Sequence, residues 1–152
     1  MSQSFARVLV HLIFSTKNRE PFIDDSIMPS LHAYIMGIFD EIGCPSIQVG
    51  GVSDHVHLVF GLSRTYTIAQ VVETVKTSSS KWIKAAERGQ RYANFHWQSG
   101  YGAFSVSQSG LDDVIAYVRN QAEHHKEMTF QDEYRRFLER YKVDYDERYV
   151  WD

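Results

Sequence analysis

Apolar residues recur along this 152-residue chain with two different periods, taken in turn. Residues 7–15 are rich in Val, Leu, Ile and Phe on both faces, which reads as a central strand. Residues 25–42 switch to helical spacing, with Ile27, Leu31, Tyr34, Ile35, Ile38 and Phe39 on one stripe. Asp25 or Ser26 is placed to cap that helix, and Gly43 to end it. Strands follow over residues 46–52 and 55–62, joined at a tight bend marked by Gly50, Gly51, Ser53 and Asp54. A second helix is expected from Thr67, as cap, to about Glu87. Ile68, Val71, Val72, Val75, Ser79, Trp82 and Ile83 form its inner stripe. Short extended pieces follow at 95–97 and 103–107. A third helix, capped by Ser107 or Ser109, should run to about Lys126, and a fourth from Thr129 to near Tyr141. The order β-α-β-β-α-β, then two helices, predicts an α+β, ferredoxin-like (RRM-like) split βαβ domain. Its central antiparallel sheet spans a single domain, residues 1–152. The first two helices cover one sheet face, so the other requires a further helix, a partner or a ligand.

Composition sets limits. At 43% hydrophobic and 23% charged the chain can bury a core and is not disordered. The longest apolar run, residues 8–14, is interrupted by His11 and falls short of the ~18 residues of a membrane helix. The first residues lack the layout of a secretory signal. Cys44, the one cysteine, excludes an internal disulfide and a cysteine zinc site. A cytoplasmic protein, on the nucleoid when bound to DNA, is the expectation.

The net charge of −3 argues against a general polyanion binder, but it averages over a segregated pattern. Arg64, Lys76, Lys81, Lys84, Arg88 and Arg91 face only Glu73 and Glu87 within residues 64–91, whereas acids outnumber bases over residues 111–152. Lys76, Lys84 and Arg88 recur at intervals that place them near one helix face. That face is either a phosphate-binding surface or an ordinary solvated one.

Two constellations carry chemistry. In Asp54-His55-Val56-His57-Leu58-Val59-Phe60 the side chains of His55 and His57 share one strand face, and Val56, Leu58 and Phe60 share the other. Two such imidazoles can bind one metal ion, or can simply sit on a solvated face. On the third helix, Tyr117, Gln121, His124 and His125 form a stripe apart from the apolar one of Leu111, Val114, Ile115, Val118 and Ala122. This second stripe is either functional or the amphipathic border of a core. His124 and His125 diverge by about 100°, so at most one faces a shared centre.

Taken with the order of further segments, these residues resemble the single-tyrosine HUH transposases of small bacterial insertion sequences and their REP-associated relatives. The segments are His11-Leu-Ile-Phe-Ser-Thr-Lys-Asn-Arg19, Gly50-Gly51 before the histidine pair, and Lys76-Thr-Ser-Ser-Ser-Lys-Trp82-Ile83. Trp97-Gln-Ser-Gly-Tyr-Gly-Ala-Phe-Ser-Val-Ser107, Tyr117-Val-Arg-Asn-Gln121 and Asp144-Tyr-Asp-Glu-Arg-Tyr-Val-Trp151 complete them. The resemblance implies cleavage and rejoining of single-stranded DNA at the ends of a mobile element, through a 5′-phosphotyrosine. It implies Tyr117 as nucleophile and His55, His57 and Gln121 as ligands of a divalent metal, Mg²⁺ or Mn²⁺. His11, on the strand expected beside the histidine pair, is a candidate to support that centre or a packed histidine, and His124 is a second candidate to support it. The resemblance implies DNA hairpins near the element ends as the recognised structure; on local charge, Lys17, Arg19, Lys76, Lys81, Lys84 and Arg88 are the candidates for phosphate contacts. It also implies a homodimer whose subunits can share active sites. A non-catalytic or domesticated module that binds single strands or hairpins is the alternative; on an RRM-type sheet it would need exposed aromatics.

Overall fold

The computed structural model describes residues 2–152. Four strands, β1 (Leu9–Ser15), β2 (Ser46–Val52), β3 (His55–Gly61) and β4 (Gly102–Val106), form one antiparallel sheet in the order β2-β3-β1-β4. The helix α1 (Met28–Glu41) carries the chain from β1 to β2, across the position later filled by β3, and α2 (Ile68–Ile83) links β3 to β4. This is the split βαβ arrangement that the alternating periods predict.

Register decides which side chains share a face. β1 and β3 pair so that His11 lies opposite Val59, Ile13 opposite His57 and Ser15 opposite His55. Residues directly opposite project the same way. One face therefore presents Val10, Leu12, Phe14, Val56, Leu58 and Phe60, and packs with Leu31, Ile35, Phe39, Val71, Val75 and Ile83 of α1 and α2 as the main core. The other presents His11, Ile13, His55, His57 and Val59. Its cover comes from the rest of the chain: α3 (Leu111–Arg119), α4 (Gln121–His124) and α5 (Phe130–Arg140). Ile13 and Phe104 pack with Phe130, Tyr134 and Leu138 of α5, and Leu9 and Val59 with Leu111 and Val118 of α3. The histidine face is thus interior, with His55 and His57 both 0% exposed.

Several local expectations shift. α2 stops at Ile83 rather than near Glu87, and a short 3-10 turn follows over Ala86–Arg88. The third helix is broken at Asn120, whose backbone (φ −97°, ψ 24°) leaves the helical range between α3 and α4. α1 begins after Ile27 with no side-chain cap, and Asp24 Oδ1 accepts from the backbone N–H of Ser26 and Ile27 in the turn ahead of it. Ser107 accepts from the Gly110 N–H ahead of α3 rather than capping within it. Thr67 and Thr129 cap α2 and α5 as expected.

One glycine fixes the seat of α3. A Cβ on Gly50 would stand 2.2 Å from the backbone carbonyl oxygen of Val118, far inside van der Waals contact. The bare backbone of β2 is what lets the end of α3 lie against the sheet, next to Tyr117. Gly50→Ala is therefore expected to push α3 outward. It should lower the thermal midpoint by roughly 5–10 °C, a loss of about 2–3 kcal/mol in a chain of this size; differential scanning calorimetry checks it.

Candidate metal centre and tyrosine

The site is built where β3, the α3–α4 break and α5 meet. Alternation along β3 turns His55 and His57 toward the covering helices. His57 Nε2 lies 2.9 Å from Glu133 Oε1, and His55 Nε2 lies 3.0 Å from Gln121 Oε1 and 3.3 Å from Glu133 Oε1. A third imidazole, His125, places Nε2 3.1 Å from the same Glu133 oxygen. The Gln121 Nε2 donates to Glu133 Oε2 at 3.1 Å, and the Tyr117 hydroxyl donates to that oxygen as well. One carboxylate therefore holds the imidazoles on one oxygen and the phenol and amide on the other.

Each ring is fixed from behind. His55 Nδ1 donates to Asp54 Oδ1 at 2.7 Å, and His125 Nδ1 donates to the Met128 carbonyl at 2.8 Å. His57 Nδ1 pairs with His11 Nε2 at 2.7 Å. Partners of this kind orient histidines whose other nitrogen binds a metal. The donor set fits a divalent cation. Nitrogen and oxygen atoms of His55, His57, His125 and Glu133 all lie within 4.8 Å of one another, and imidazole with carboxylate suits a borderline ion such as Mn²⁺.

Electrostatics hold the cluster together. Burial pushes the Glu133 carboxyl up, but hydrogen bonds from His125, His55 and His57 outweigh it and keep the group ionised, well below the usual range. Burial lowers His55, yet bonding to Asp54 and Glu133 prevails and raises it to about 9. His57, fully enclosed, is lowered to about 4 by burial despite Glu133. Burial likewise keeps His11 neutral. Burial and the Glu133 carboxylate raise the Tyr117 phenol above its ordinary value, with Gln121 and Arg136 pulling the other way.

The sequence-derived residues fall into two groups. Tyr117, Gln121, His55 and His57 converge within one chain, and His11 stands directly behind His57. His124 does not face the centre: its ring lies flat against Tyr117, centroids 4.4 Å apart, and His125 takes the inward place. Arg19 borders a groove of about 670 Å³ that reaches His125, together with Asp54, Lys126 and Thr129; its Nη1 has no hydrogen-bond partner among the described residues. Lys17 is exposed nearby in sequence. Lys76, Lys81, Lys84 and Arg88 belong to α2 and its end, on the opposite side of the sheet. Lys76 donates to the carbonyls of Gln98, Ser99 and Gly100, and Arg88 lies over the Trp82 ring at 4.1 Å. Glu133 escaped the reading of residues altogether. Its signal was an acid set among Phe130, Tyr134, Phe137 and Leu138 on the apolar stripe of α5, where a carboxylate needs a reason to be.

The sequence model of the family described as "Transposase IS200 like" matches residues 4–121. No curated protein matches the sequence. Among solved structures, a candidate transposase from Deinococcus radiodurans R1 is 22% identical, with a TM-score of 0.62 over 80% of this chain and 98% of that one. A REP-associated tyrosine transposase bound to a REP hairpin is 10% identical, with a TM-score of 0.60 over 82% of this chain and 73% of that one.

The raised His55 carries a pH consequence. A folded-state pKa above the unfolded value contributes stability that is full below about 6.5 and is lost as pH rises through about 9. In metal-free protein, Asp54→Asn should therefore lower the urea midpoint clearly at pH 6 and much less at pH 10. Equal losses at both values would show that Asp54 does not act through the His55 charge.

Proposed function

The chain belongs to the IS200-like transposase family, and from that premise we propose a metal-dependent enzyme that cuts and rejoins single-stranded DNA at hairpin-bearing ends. It is a DNA transposase by family; the metal, the strand specificity and the hairpin are the proposal. The observation that carries it is the delivery of the Tyr117 hydroxyl and the Gln121 amide to the His55–His57 pair through one carboxylate.

In this reading Tyr117 is the nucleophile. Its hydroxyl proton already has an acceptor in Glu133 Oε2, so the phenol is held with its oxygen beside the centre. Attack on a phosphodiester forms the bond from Tyr117 Oη to phosphorus and breaks the bond to the 3′ oxygen. The products are a 5′-phosphotyrosine and a free 3′-hydroxyl. The phosphoester energy is retained, and the phenolate is a better leaving group than an alkoxide. A 3′-hydroxyl can therefore reverse the step without a nucleotide cofactor. A divalent metal held by His55, His57 and Gln121 supplies Lewis-acid polarisation and charge neutralisation at the phosphate.

The phenol borders a cavity of about 310 Å³ whose other walls include His124, Arg136, Phe137 and Arg140. Guanidinium groups recognise phosphates through paired N–H donors, and two of them beside the nucleophile suit the strand around the scissile bond. Arg19 and Lys17 extend this surface along the larger groove. Lys81 and Lys84, on α2, serve DNA that continues to the far side, as the arms of a hairpin do, while Lys76 and Arg88 are already engaged within the chain. We propose a homodimer in which each chain brings its own tyrosine to its own histidines, so that each site is in cis rather than shared.

A non-catalytic sheet-binding module fits less well. Helices cover both faces of the sheet, so no central-strand aromatic is free to stack on a base.

Labelled single strands from the flanks of the encoding gene, incubated with Mn²⁺ or Mg²⁺ and run on a denaturing gel, should give a covalent protein–DNA band. Tyr117→Phe should lose it; a band that persists places the nucleophile elsewhere. Mixing His57→Ala with Tyr117→Phe protein should not restore the band, and restoration would mean shared sites. The pair Arg136→Ala/Arg140→Ala should weaken strand binding and reduce its salt slope by about two, whereas Lys81→Ala/Lys84→Ala should matter only for hairpin substrates.

A further inference from the structure

The inner edges of the three histidines pose an electronic problem. With Nδ1 donating outward, to Asp54 from His55 and to Met128 from His125, each neutral ring turns the Nε2 lone pair inward. Those lone pairs meet oxygen lone pairs: Glu133 Oε1 at 3.3 and 3.1 Å, and Gln121 Oε1 at 3.0 Å from His55. Lone pairs aimed at lone pairs repel unless a cation lies among them, either protons on the rings or one metal ion.

The spacing fits a metal ion as well as it fits ring protons. Atoms about 2.1 Å from an octahedral ion stand about 3 Å apart along each edge of the octahedron. Glu133 Oε1 stands 2.9, 3.3 and 3.1 Å from the Nε2 atoms of His57, His55 and His125. Charge points to the metal ion. His55, His57 and Gln121 offer only neutral ligands to a dication in a closed interior, and an uncompensated buried charge is costly. Glu133, 1% exposed, is the one carboxylate at the centre. It is held there by Phe130, Tyr134 and Leu138, which anchor α5 to the sheet.

We propose that His125 and Glu133 are metal ligands, completing with His55, His57 and Gln121 a centre of three imidazoles, one amide and one carboxylate. This rests on the reading of His55 and His57 as metal ligands. The inference carries the catalytic unit past the 4–121 span of the family match and makes α5 part of it. Three imidazoles favour Mn²⁺, Co²⁺ or Zn²⁺ over Mg²⁺, and five protein donors leave one place of an octahedron for a further ligand. Glu133 also acts as a positioning residue, since its second oxygen holds the Tyr117 hydroxyl.

The test is calorimetric titration of the full chain with Mn²⁺, without DNA. Wild type is expected to bind one ion. Glu133→Gln, which keeps the shape but removes the charge, should weaken binding by about tenfold or more, and His125→Ala should do likewise. Glu127→Gln, an exposed acid on the rim of the same groove, should leave it within about threefold. Glu133→Gln binding as tightly as wild type, or more tightly, would mean that the carboxylate fills the cation's place instead of binding it. That outcome overturns the inference and leaves the His55–His57 reading intact. Wild type binding neither Mn²⁺ nor Co²⁺ overturns both. Should Glu133→Gln fail to fold, pulsed EPR on Mn²⁺-loaded wild type decides: three coordinated imidazoles support the assignment, and two overturn it.

Discussion

A central strand that is apolar on one face and imidazole-bearing on the other cannot be buried cheaply. Val56, Leu58 and Phe60 draw β3 into the core formed with α1 and α2, and that position leaves His55 and His57 on a face the rest of the chain must close. Each polar atom enclosed there needs a partner. Asp54, His11 and the Met128 carbonyl satisfy the outer nitrogens, while Gln121 and Glu133 meet the inner ones. The covering helices are thus more than a hydrophobic lid. The path of the chain after β4 is set by the need to bring an amide, a carboxylate and a third imidazole to fixed points above two histidines.

The architecture was legible because the two hydrophobic periods are strong in residues 7–83 and because β1 and β3 carry bulky apolar residues where the core requires them. Tyr117, Gln121, His55 and His57 were legible as two separate stripes, and the family resemblance joined them. Less visible was what depends on tertiary geometry. A continuous helix from Leu111 through Lys126 would have put His124 and His125 on equal terms; the break at Asn120 chose between them, and local spacing could not foresee it. Glu133 belongs to a different helix, and its partners lie far away in sequence, so no periodicity links it to β3. α1 and α3 start after Ile27 and Gly110 without a side-chain cap, because Asp24 and Ser107 bond to the turns ahead of them.

Charge is distributed as the sequence implied, but its spatial meaning changes. The basic segment around α2 lies on the main-core side of the sheet, and part of it is consumed internally: Lys76 gathers three backbone carbonyls, and Arg88 rests on Trp82. The guanidinium groups nearest the tyrosine come from α5, in the acid-rich stretch whose average charge conceals them. A mean charge over a window of sequence says little when Arg136 and Arg140 line the cavity beside the tyrosine.

The break at Asn120 separates two jobs that a single straight helix would have fused. Tyr117 rides on α3, whose end is wedged against the bare backbone of β2 at Gly50. Gln121 and the chain leading to His125 belong to the next short segment, tied to β3 and α5. The phenol and the amide are therefore mounted on two helical segments with a break between them. Gly50 sets the seat of the phenol, and His55 with Glu133 sets that of the amide, so two different sets of neighbours fix the two groups.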